Sequence, residues 1–104
     1  MPAYVQKTVE TPIQPLKLAH AVARASGLES GDLFGPGVRH ESVVRARECF
    51  CWLLRQHTTM SYPEIARLTG TVHSVVWRRF HKWERRLETG TDEGLTERAK
   101  EQLA

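Results

Sequence analysis

Apolar residues recur along the chain at steps of three and four, and no stretch alternates strictly as a half-buried strand would. Leu16, Ala19, Val22 and Ala23 trace one face of a first predicted helix, which Gly27 followed by Leu28 should stop. Ser30, Gly31 and Asp32 open a short turn of helix carrying Leu33 and Phe34, and Gly35, Pro36 and Gly37 end it. The next helix is predicted from about Ser42, as N-cap, to His57. Its face is Val43, Ala46, Phe50, Leu53 and His57, widened by Trp52 and Leu54, with Arg45, Arg47, Glu48 and Arg55 mostly off it. Ser61-Tyr62-Pro63-Glu64 reads as a capping box with proline in the first turn, where its missing N–H does no harm. That helix is short, Tyr62 to Thr69, and Gly70 stops it.

A longer helix is predicted from His73 to about Leu87, with a core stripe of Val76, Phe80, Trp83 and Leu87. About 200° round the same helix lie Ser74, Arg78, His81 and Arg85. One side is greasy and the other basic. Thr89, Gly90 and Thr91 interrupt, after which Leu95, Ala99 and Leu103 mark a weaker terminal helix. The fold class is therefore all-α, a compact helical domain. Residues 1–14 read as a flexible arm, 15–88 as the domain, and 89–104 as an acidic C-terminal helix or tail.

The 104 residues have room for one domain, and 40% hydrophobic with 26% charged residues fits a globular protein. No apolar run approaches the roughly 20 residues of a membrane span. The first 15 residues lack the pattern of a secretion signal, so a cytoplasmic protein is expected. The net charge is only +3, but its distribution is uneven. Residues 39–86 hold ten basic and four acidic side chains and net +6, whereas the remainder nets −3. A basic middle between acidic ends suits a polyanion, nucleic acid first.

Cys49 and Cys51 stand one residue apart in a predicted helix, a poor geometry for a disulfide, and the five histidines make no metal-binding spacing. No metal or cofactor is expected. Neither cysteine has an evident base beside it, and no carboxylate pair stands apart, so the protein is read as not an enzyme.

Ile65, Ala66, Gly70 and Val76 form the skeleton of a helix-turn-helix. Ala66 is small where two helices cross, Gly70 allows the positive φ of a sharp turn, and Ile65 and Val76 lock the pair together. A second helix with a basic outer face can lie in a DNA major groove. Its N-terminus at His73 and Ser74 also offers backbone N–H groups to a phosphate or base edge.

Val38-Arg39-His40-Glu41-Ser42-Val43-Val44-Arg45-Ala46-Arg47, then Ser61-Tyr62-Pro63-Glu64-Ile65, then His73-Ser74 and Lys82-Trp83-Glu84, resemble the C-terminal DNA-binding domain of the bacterial chromosomal replication initiator, DnaA. The likeness covers about residues 16–87. It implies a Trp-repressor-like fold, with Arg39 reaching into a minor groove, Arg47 and Arg55 on phosphates, and Pro63 near the backbone. His73 and Ser74 match the base-contacting start of the recognition helix. The initiator's ATPase has no counterpart, since there is no GxxxxGK[ST] loop.

The turn is one residue shorter than is usual in that family. Thr71 and Val72 occupy the place of its Arg-Asp pair, and Val75 replaces a threonine. Trp77 and Arg78 also depart from it, which implies a different sequence preference. Trp77 borders the core stripe and either packs there or meets bases, while Arg78 is suited to guanine.

The expected DNA-contacting set is Arg39, Arg45, Arg47, Arg55, Ser61, Pro63, Thr71, His73, Ser74, Trp77, Arg78, His81 and Lys82. The expected role is a double-stranded DNA-binding regulator of transcription or replication. The alternative is an adaptor that binds a replication or transcription protein without touching DNA. Dimerisation through the terminal acidic segment stays open beside monomeric binding.

Overall fold

The computed structural model describes residues 13–35 and 40–103. Residues 1–12 of the N-terminal arm, and Pro36, Gly37 and Arg39, lie outside the described residues, whereas Ile13 of the arm donates its N–H to the His57 carbonyl at 3.0 Å. Among those described there are five α-helices, one 3₁₀ turn and no strand. Several helix ends follow directly from local chemistry.

Helix α1 (Pro15–Ser26) has proline in its first turn and ends at Gly27, whose φ is +70°. The Leu28 N–H donates to the Ala23 carbonyl at 2.8 Å, closing the cap that the Gly27-Leu28 pair predicts. Ser30–Leu33 forms the 3₁₀ turn, with Glu29 and Asp32 capping each other's backbone. It drops Leu33 into the core and brings the Phe34 ring edge-on to Phe50, centroids 5.6 Å apart.

Helix α2 (Glu41–His57) starts one residue before Ser42, so Ser42 is not the N-cap. His40 holds that position without a side-chain cap bond. Glu41 favours the first turn instead, by its negative charge at the positive helix end and by its ion pair with Arg45 at 2.7 Å. The helix runs through the centre of the molecule, touching every other helix and the 3₁₀ turn. Its buried surface is therefore wider than one face. Cys49 and Cys51 are buried with Phe50, Leu53 and Leu54, and so are Arg47 and Glu48, which the one-face pattern leaves outside.

Helix α3 (Tyr62–Thr69) has the capping box in full. Ser61 Oγ accepts from the Glu64 N–H at 3.3 Å, and Glu64 Oε1 accepts from the Ser61 N–H at 3.1 Å. Helix α4 (His73–Thr89) extends two residues past Leu87 before Gly90 stops it at φ +73°. Thr89 stays within it because its hydroxyl donates back to the Arg85 carbonyl at 2.9 Å. Val76 and Trp83 are fully buried, with Phe80 and Leu87 partly so.

Helix α5 (Leu95–Glu101) packs on α1 and buries Leu95, Thr96 and Ala99. The Trp83 indole Nε1–H donates to the Thr96 hydroxyl at 3.0 Å, tying α5 to α4 inside the core. The bond satisfies an indole N–H that burial cuts off from water.

Candidate nucleic-acid interface

The two helices of the motif meet through Ile65 and Val76, both fully buried, and Ala66, 4% exposed. Gly70 sits at φ +71°, and the Thr71 N–H donates to the Ala66 carbonyl at 2.9 Å. A side chain on Gly70 would be strained by that φ, and its Cβ would stand 3.4 Å from Gly35 Cα. Gly35 is there because its N–H donates to the Thr69 carbonyl at 2.8 Å. The segment leaving the 3₁₀ turn thus docks on the turn between α3 and α4. Sequence spacing holds no sign of that contact.

Helix α4 turns a continuous stripe outward. His73, Ser74, Trp77, Arg78, His81, Lys82 and Arg85 are all exposed, in the repeating steps of one and three that make one helical face. Val76 and Trp83 lie on the opposite side, in the core. The basic stripe read from the sequence is exposed among the described residues, and it is wider than the four positions that spacing singles out. Trp77 is 53% exposed, so of its two readings packing is the one the structure does not support. Its ring lies 4.1 Å from the His81 ring, tilted by 55°.

Between α2, α4 and the turn runs a groove lined by Arg47, Arg78, Arg79 and Lys82, with Gly35, Gly70 and Thr71 at one end. Arg47 is buried against the 3₁₀ turn, its Nε–H donating to the Asp32 carbonyl at 3.0 Å. Burial, then the nearby charge of Arg79, pushes the Arg47 pKa below its usual value. A second anion beside these two guanidiniums would relieve their repulsion.

At the groove's inner wall lies a group that sequence reasoning missed. Glu48 is 2% exposed and accepts from Arg86 Nε at 2.8 Å, with Lys82 Nζ 3.9 Å from its other oxygen. It anchors the basic helix to α2 from behind.

The remaining expected contacts fall in three places. Ser61 and exposed Pro63 stand at the start of α3, and Thr71 in the turn. Arg55 donates to the Met60 carbonyl at 2.9 Å and lies over the Tyr62 ring, 4.5 Å from its centroid, so it braces the entry to α3. Arg45 is drawn away from the groove, holding Glu41 and Glu93 at 2.7 Å each beside the loop before α5. Arg39 lies outside the described residues.

Two helices joined by a glycine turn, the second exposing a basic face backed by a packed bundle, define a helix-turn-helix DNA-binding module. Residues 15–82 match the family described as the bacterial dnaA protein helix-turn-helix, and the chain belongs to that family. No curated protein matches it. The match ends inside α4, and α5 lies beyond it.

Proposed function

We propose that the protein is a sequence-specific regulator of transcription or replication that lays α4 in a major groove of double-stranded DNA. The observation that carries this is the exposed stripe from His73 to Arg85, which has an apolar core on its reverse side and offers cations to phosphates along its length. In this reading Arg78, His73 and Ser74 meet base edges, with Thr71 and His81 beside them. Arg47, Arg79, Lys82 and Arg85 take phosphates, which supply most of the affinity. Ser61 and Pro63 bring the start of α3 against the backbone, Arg55 supports it, and Arg39 reaches the adjacent minor groove. Arg45, held by two carboxylates, contributes to binding less than the others.

One protomer occupies each site in this reading, because Leu95 and Ala99 of α5 are buried against the protein's own core. Titration with random duplex at two salt concentrations tests the proposal. A steep loss of affinity with salt supports it, and no binding at low salt favours the protein-binding adaptor. Arg78→Ala should then lower discrimination at one base pair by about 1–3 kcal/mol, while Arg85→Ala weakens all sequences alike.

A further inference from the structure

Three large apolar side chains stand exposed among the described residues: Leu16, Val72 and Trp77. Two of the three belong to the helix-turn-helix. Val72 is 59% exposed at the N-cap of α4, and Trp77 is 53% exposed one turn further on, above His73.

Neither is explained by the stability of the fold. Valine is among the weakest N-cap residues, and Val72 gives α4 no side-chain cap bond. Trp77 leaves half its surface in water although the core is one step round the helix. The His81 ring rests against it, which limits how the indole can turn.

What could cover them follows from their neighbours. Arg78, His81, Lys82 and Arg85 surround the indole. An apolar protein surface would strip water from those charges without pairing them, whereas a duplex would pair them with phosphates. The apolar group that a major groove presents is the C5-methyl of thymine.

We infer that Val72 and Trp77 recognise thymine methyl groups on the floor of the major groove. This deepens the DNA reading above and rests on it. Each of the two residues takes one methyl, so the bound site carries two such thymines. Arg78, the next residue after Trp77, reads the base edge beside them.

Deoxyuridine tests this directly, because it removes the methyl and nothing else. Duplexes enriched from a random pool are remade with each thymine replaced singly by deoxyuridine, and Kd is measured by fluorescence anisotropy. Affinity falls about four-fold at each of two thymines, the worth of one buried methyl-sized group, and hardly changes elsewhere. Val72→Ala abolishes the sensitivity at one of them and Trp77→Ala at the other, with circular dichroism confirming that both exposed-site variants are folded. Enriched duplexes that tolerate deoxyuridine everywhere, or sensitivity that persists in both variants, overturn the inference and leave DNA binding intact. If no duplex is enriched and random duplex does not bind at low salt, the DNA reading fails, and the inference with it.

Discussion

The carboxylate of Glu48 is buried, and its two cations leave it unequally supported. Arg86 touches it at 2.8 Å with a side chain 22% exposed, while Lys82, at 3.9 Å, is 58% exposed. Removing Arg86 leaves a buried anion with one distant, well-hydrated partner. Breaking a buried pair in this way costs about 3–5 kcal/mol, and the residual help from Lys82 puts Arg86→Ala at about 3 kcal/mol. Glu48→Gln is milder. The amide keeps the shape and can still accept from Arg86 Nε–H, whose guanidinium reaches water, so about 1–2 kcal/mol is lost with the charge assistance.

The double change Glu48→Leu with Arg86→Met leaves only the exposed Lys82 charge behind and should cost less than Arg86→Ala alone. Thermal unfolding separates these variants, since 1 kcal/mol moves Tm by about 4–8 °C in a domain of this size. If Glu48→Gln is as damaging as Arg86→Ala, or the apolar pair no better than Arg86→Ala, an uncompensated carboxylate is not the cause. Glu48→Gln should also tighten binding to random duplex, because it leaves Arg86 and Lys82 without an internal anion.

Four further outcomes follow from local geometry. Ser61→Ala should destabilise the protein by about 1 kcal/mol, measured by urea unfolding, because one orphan N–H of α3 loses its acceptor. The same serine's backbone and hydroxyl hold the Glu64 carboxyl below its ordinary pKa. That contribution is present above the ordinary carboxylate value and disappears as pH falls through the depressed one, so Glu64→Gln should flatten the acid limb of the stability curve. Burial pushes the Cys49 thiol up to about 12 and Cys51 to about 11. Both stay protonated in the fold. Iodoacetamide at pH 8 should spare them until denaturant is added, and stability should fall as pH rises above 9, where the unfolded thiols ionise first. Gly70→Ala should cost about 1–2 kcal/mol from its left-handed φ and weaken duplex binding by misplacing α4, to be checked by calorimetry and anisotropy together.

Helix ends were the most legible part of the sequence, because capping is decided within a few residues. Gly27-Leu28, Ser61 to Glu64, and Gly70 all cap as their spacing predicts. Ser42 misled because a good cap residue loses to Glu41, which gains both the helix dipole and Arg45. The basic face of α4 was legible for the same local reason, and the family match agrees with the motif read from Ile65, Ala66, Gly70 and Val76.

Contacts set by tertiary packing were not legible. Glu48 and Arg86 are 38 residues apart, and a helix buried on several sides breaks the one-face rule that left Arg47 and Glu48 on the surface. Gly35 against Gly70 and Arg45 against Glu93 are equally remote along the chain. For Trp77, periodicity placed it at the edge of the stripe, where only the neighbouring helices decide between core and solvent.

The indole of Trp83 faces a hydroxyl from the last helix, seven residues of chain that the family's shared sequence does not reach. A fragment trimmed to residues 15–82 would lose Trp83 itself, and one cut at Gly90 would strand its N–H and uncover the apolar side of α1. Anyone isolating the minimal reader should therefore keep the polypeptide through Leu103, where the acidic end works as a stopper for the bundle.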